Sequence, residues 1–275
     1  MPWCVLENGR RLWYEDQGQG PPLVLLHGWC MSSAVWRFQL ETLGRTFRVL
    51  ALDLRGHGRS EAGSDGHDFS GFAEDLQAFF QHLNLHDTLL AGWSLGAQLA
   101  LLACGKLRER LSGLALISGT PCFTVNGDFP HGLDMVEVMG MGIKVRRNPA
   151  RALEGFMAGM FAPGERNDHG LDERIRQLLT TIALPEKHVA VQSLTALSGA
   201  DMRGLLPTID LPTLIINGDR DPICLPAASS YMASRIASST HVVLGGCGHA
   251  PFLTRCHEFN DSIISFGRRV FAQGR

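Results

Sequence analysis

Apolar residues gather in short unbroken runs over the first part of the chain. "PPLVLLHGW", "FRVLALDLRGHGRS", "DTLLAGWS" and "LSGLALISG" each hold three or four apolar positions in succession and close on glycine or a polar turn. Runs of this length without alternation predict strands buried on both faces, as in a parallel sheet. "RLWYEDQG" reads as a further strand running into a turn. Between the runs the period changes: in "FSGFAEDLQAFFQHLNL", Phe72, Leu76, Phe79, Phe80 and Leu83 recur at helical spacing, and "LGAQLALLACGKL" predicts a second helix. Strand and helix in alternation predict an α/β fold, a mostly parallel sheet covered by helices on both faces.

The alternation stops after Pro121. From 123 to 205 the pattern is helical, rich in Met, Arg and Ala, with no buried strand. The strand pattern returns in "PTLIINGDRD" and "THVVLGGCGHAPF", separated by a helix around "AASSYMASRI" and followed by a final helix. Residues 1–122 and 206–275 are therefore expected to form one core, with 123–205 inserted as a helical lid. A separate helical domain is the alternative, disfavoured by short flanking links and by the resumed strand pattern.

Composition narrows the class. The chain has 275 residues, 45 % of them hydrophobic, and a formal net charge of −2. It can bury a large core, and it has no global positive field to favour nucleic acid or an anionic membrane. Its seven cysteines are an odd number without a C-x-x-C pair, which argues against a disulfide framework or a zinc ribbon. No phosphate-binding glycine loop and no metal-ligand spacing occurs, so neither cofactor nor metal is expected. The N-terminal residues lack an apolar signal core. A cytoplasmic monomer is the default expectation.

The chemistry concentrates in three places. Gly92-Trp93-Ser94-Leu95-Gly96 is a G-x-S-x-G pattern between a predicted strand and a predicted helix, the setting of a nucleophilic serine on a sharp bend. A serine hydroxyl needs a base, and His249 in "GGCGHAPF" follows the last strand. The base needs a carboxylate to hold its tautomer. "INGDRDP" offers Asp219 and Asp221; Asp221 is better placed past the turn, with Asp219 kept as the alternative. The oxyanion donors expected are the N–H groups of Leu95 and of Trp29 in "HGW". His27 reads as a brace for that loop. Asp53, Arg55 and His57 read as a structural turn, and His82, His86, His241 and His257 as surface or packing residues.

"LLHGW", "DLRGHGRS", "GWSLG", "GDRDPICLP" and "GHAPF" together resemble the α/β-hydrolase superfamily over nearly the whole chain. Within it, "HGW" followed by "SSAVWR", Trp93 before the serine, "SGTPCF" and "GHAPF" are similar to the methyl ester esterases that act on pimeloyl-acyl-carrier protein in biotin synthesis. That resemblance implies a serine carboxylesterase with Ser94, Asp221 and His249 as its triad and Trp29 and Leu95 at the oxyanion. It implies that Phe156, Met157, Ala158, Gly159 and Met160 contact the acyl chain. It also implies an acidic carrier protein as partner, docked by lid arginines, of which Arg151 matches best and Arg174 and Arg176 lie nearby. The stretch from Lys144 to Arg151 holds four cations (Lys144, Arg146, Arg147, Arg151) and no acid. The match is thinnest from Ala162 to Asp172, and Ala97 stands where many relatives have a second glycine. Two alternatives remain: a hydrolase of small free esters, lactones or carbon–carbon bonds, and a non-enzymatic binding protein on the same fold.

Overall fold

A computed structural model describes residues 3–273. Eight strands form one sheet: β1 (Trp3–Val5), β2 (Arg11–Gln17), β3 (Pro22–Leu26), β4 (Arg48–Leu52), β5 (Thr88–Trp93), β6 (Leu111–Ile117), β7 (Thr213–Gly218) and β8 (Ser239–Leu244), in the order β1-β2-β4-β3-β5-β6-β7-β8. From β4 through to β8 every pairing is parallel, and the β1–β2 and β2–β4 pairings are antiparallel. The central strands β3 to β7 have nearly every residue buried, as their unbroken apolar runs require. β2 alternates buried and open positions because one of its faces is only partly covered.

Among the described residues there are ten α-helices: α1 (Arg37–Leu43), α2 (Phe69–His82), α3 (Leu95–Cys104), α4 (Met135–Arg147), α5 (Pro149–Gly159), α6 (His169–Thr180), α7 (Lys187–Gly199), α8 (Pro226–Arg235), the single turn α9 (Pro251–Thr254) and α10 (Cys256–Gln273). One face of the sheet packs on α2, α3 and α8 through Phe72, Leu76, Leu99 and Met232. The other packs on α1, α9 and α10 through Leu40, Phe252, Phe259 and Ile263, with Trp36 and Trp93 between. Each layer thus removes a continuous apolar surface from water, the main driving force for the fold.

Between β6 and β7 the described residues include α4 to α7 and no strand, only isolated bridges such as Cys122 with Asp201. Local sequence sets the helix ends. Asp134 caps α4 by accepting from Val136 N–H at 2.7 Å. Asn148 caps α5 by accepting from Arg151 N–H at 3.2 Å, with Pro149 as its first residue. Among the described residues no helix is long and apolar enough to cross a membrane.

Candidate active site

Parallel strands bring their carboxyl ends to one edge of the sheet, and the candidate residues gather there. Ser94 follows β5, Trp29 follows β3, Asp221 follows β7 and His249 follows β8. Ser94 has φ 56° and ψ −116°, a left-handed backbone that side chains rarely adopt, held between the end of β5 and the start of α3. Its flanking glycines have separate steric reasons. A Cβ on Gly92 would stand 2.0 Å from Gly96 O, and a Cβ on Gly96 would stand 2.6 Å from Leu26 O. The bend closes only when both positions lack a side chain.

His249 is fully buried and held on several sides. Its Nδ1–H donates to Asp221 Oδ2 at 2.8 Å. Its own N–H donates to Met160 O at 2.7 Å. Its carbonyl accepts from the Trp93 indole N–H at 2.8 Å. Asp221 Oδ1 in turn accepts from Ile223 N–H at 2.8 Å and Cys224 N–H at 3.0 Å, so the carboxylate is anchored at one oxygen and bonded to the imidazole at the other. Asp219 points elsewhere, accepting from Cys247 N–H at 3.2 Å. His249 Nε2, the other ring nitrogen, is buried and unpartnered. No hydrogen bond joins it to Ser94.

The N–H groups of Trp29 and Leu95 are uncommitted among the described residues. The Leu95 N–H also begins a helix, whose dipole favours negative charge. His27 braces the loop that carries Trp29: its Nδ1–H donates to Gly28 O at 2.8 Å and its Nε2 accepts from Leu54 N–H at 3.0 Å. Burial lowers its pKa to about 4, which keeps the ring neutral and able to accept. Asp53 accepts from Ser33 and Arg59 N–H groups, and Arg55 pairs with Asp75 at 2.7 Å, so these are turn and core contacts away from the cavity. Burial pushes the Cys30 and Cys224 thiols well above their ordinary range, leaving both poor nucleophiles.

A cavity of about 380 Å³ opens over Ser94, with Trp29, Phe123, Ile223, Leu194 and Leu197 among its walls and α4 on one side. Trp29 meets Phe156 edge-on, ring centroids 5.0 Å apart. Of the five consecutive positions 156–160, only Phe156 lines this cavity. Five successive helical residues span more than one turn and cannot share a face. Met157 is half-buried against the apolar cluster that holds Phe252 and Phe259, Ala158 and Gly159 are exposed, and Met160 is buried with its carbonyl on His249. Phe123, Leu133, Val138 and Met141 line the cavity without having been singled out in the sequence; Phe123 and Leu133 precede α4, and Val138 and Met141, three apart on it, have a spacing indistinguishable from core.

Met141, Lys144 and Phe156 also line a second hollow of about 720 Å³, which adds Arg147 and Arg151. Neither Arg174 nor Arg176 lines either space. Arg174 lies over the Phe38 ring at 4.7 Å, and Arg176 is paired with Asp172 and with Glu173 at 2.9 Å on its own helix. The three arginines therefore do not share one surface: only Arg151 stands at the mouth.

A family model described as the alpha/beta hydrolase fold matches residues 21–255. The chain belongs to the α/β-hydrolase family. Among its relatives, a pimeloyl-acyl-carrier-protein methyl ester esterase from Nitrosospira multiformis is 31 % identical over 94 % of this chain and 98 % of its own length. A putative non-heme chloroperoxidase from Synechocystis sp. is 32 % identical over 97 % of this chain and 99 % of its own length. An esterase from Exiguobacterium antarcticum superposes with a TM-score of 0.88 at 28 % identity, covering 97 % of this chain and 98 % of the other.

Proposed function

We propose that this carboxylic ester hydrolase removes the methyl group from pimeloyl-acyl-carrier-protein methyl ester, releasing methanol and the free carboxylate. The observation that carries the reading is near full-length similarity to a relative named for that reaction, joined to an apolar cavity over Ser94 that runs towards a basic mouth.

Ser94 Oγ attacks the ester carbonyl while His249 Nε2 takes its proton. The charge that develops on the carbonyl oxygen is met by the N–H groups of Trp29 and Leu95. Collapse of the intermediate breaks the acyl–oxygen bond, and His249 gives its proton to the departing methoxide. Water, deprotonated by the same nitrogen, then attacks the acyl-enzyme and frees Ser94. Asp221 stays ionised, holds the imidazole in its Nδ1–H tautomer and stabilises the imidazolium. Residues 123–205 act as the lid, with Phe156 against the acyl chain. Lys144, Arg147 and Arg151 steer the acidic carrier protein to the mouth.

The test is hydrolysis of the carrier-linked methyl ester by wild type and Arg151→Glu. Turnover by wild type, with a loss of roughly tenfold or more in kcat/KM for the reversal that shrinks in high salt, is the expected result. Equal rates for both proteins would remove Arg151 from docking. A second reading, hydrolysis of small free esters, is favoured by the likeness to the Exiguobacterium esterase. It predicts that wild type cleaves short free esters and gains nothing from the carrier.

A further inference from the structure

The histidine loop and the inserted segment meet backbone against backbone. A Cβ on Gly248 would lie 2.3 Å from Met160 O and 2.8 Å from Ala162 N, and a Cβ on Gly218 would lie 2.3 Å from Gly248 O. The end of β7, the residue before His249 and the segment after α5 are therefore stacked at contact distance. At their junction sits Glu165, only 8 % exposed. Its Oε2 accepts from Gly248 N–H at 2.8 Å and from Ala162 N–H at 2.6 Å, and its Oε1 accepts from the Thr254 hydroxyl at 2.5 Å. No cation pairs with Glu165 among the described residues; neighbouring Arg166 is committed to Asp172 at 2.5 Å.

A buried carboxylate without a cation is costly unless its oxygens are well filled with donors. Here three charge-assisted bonds converge from three segments, and two of them flank His249: residue 248 just before it and residue 254 five positions after it. With the Met160 carbonyl on the His249 N–H, the inserted segment grips the bend that carries the imidazole from outside the sheet.

We propose that Glu165 is a positioning residue for His249, fixing the 248–254 bend so that Nε2 faces Ser94. This rests on the reading of His249 as the base. The inserted segment then contributes to the rate of chemistry as well as to substrate choice, and the contact by which it does so lies where the family resemblance is thinnest.

The test uses p-nitrophenyl butyrate, a free ester that needs no carrier, and a fluorophosphonate probe of Ser94, with each protein kept well below its melting temperature. Glu165→Ala is expected to lower kcat about 10–100-fold, to change KM less than about twofold and to slow labelling in step with kcat. Glu165→Gln can accept both N–H groups at its amide oxygen and turn its NH₂ to Thr254, so it is expected within about fivefold of wild type. Wild-type kcat and labelling in Glu165→Ala, or a loss confined to melting temperature or KM, would overturn the proposal. A Gln variant as slow as Ala would also overturn it, because charge rather than held geometry would then matter. Should Glu165→Ala not fold, Glu165→Asp takes its place: it is one methylene too short to hold all three donors, and an unchanged kcat would again overturn the proposal. Wild type that neither turns over nor labels would mean that the His249 reading itself fails, and the proposal with it.

Discussion

Ser94 occupies a backbone conformation that costs of order 1–3 kcal/mol for a residue other than glycine, yet the chain places a serine there. The gain is direction: the bend lifts Oγ from the sheet edge into the cavity, beside the edge from which His249 and the free amides approach. In the proposed mechanism Ser94→Ala removes the attacking oxygen and leaves the bend in place. We expect a loss of several orders of magnitude in kcat, with residual activity on the order of 10³–10⁴-fold over water from the oxyanion donors. Retention of more than a tenth of the wild-type rate, with contaminating esterase excluded, would discard Ser94 as nucleophile. At this scale the bend was legible, because a strand-to-helix turn this sharp needs its two glycines. The choice between Asp219 and Asp221 rests on a direction in space. One carboxylate turns to Cys247 N–H and the other to His249 Nδ1.

Helices show where local preference yields to packing. Alanine in place of glycine stabilises an open helix interior by about 0.5–1 kcal/mol. Gly155 in α5 has nothing within 4 Å of where a Cβ would be, so Gly155→Ala is expected to raise the melting temperature. Gly96 in α3 has the same intrinsic preference and the opposite expectation. A Cβ there meets Leu26 O and His27 O at 2.6 and 2.8 Å, so Gly96→Ala pushes α3 off the end of β3 and lowers the melting temperature. Thermal melts of the two variants side by side check both signs, and a rise for Gly96→Ala would contradict the close approach. Helical periodicity also located the segments of the insertion, but not what each face touches. Phe156 reaches the cavity while Met160, one turn on, is buried against the histidine loop.

Two buried histidines tie the stability of the whole molecule to pH. Burial holds His27 near a pKa of about 4 and His57 near about 3, below the ordinary 6.5. Over the interval between those values and 6.5 the unfolded chain binds more protons than the folded one. Stability is therefore full above about pH 6.5 and falls as the pH drops towards each folded value, by up to about 1.4 kcal/mol per pH unit for each ring. Urea midpoints followed from about pH 7.5 down to about 4.5 should decline, and His57→Gln should flatten the decline. A midpoint that stays level would mean that neither ring is held neutral.

The sequence by itself determined the sheet-and-helix alternation, the helical character of the inserted segment, and the order serine, acid, histidine. These depend on local periodicity and on turn chemistry within a few residues. It did not reveal β1, the antiparallel edge or the single turn α9, because three- and four-residue elements carry too little pattern to stand out. Only the tertiary structure decided which carboxylate meets His249 and that Glu165 grips the histidine bend. Each of these joins segments that are 28 to 89 positions apart in the chain, a separation at which sequence pattern carries no direction and only packing and buried hydrogen bonds do.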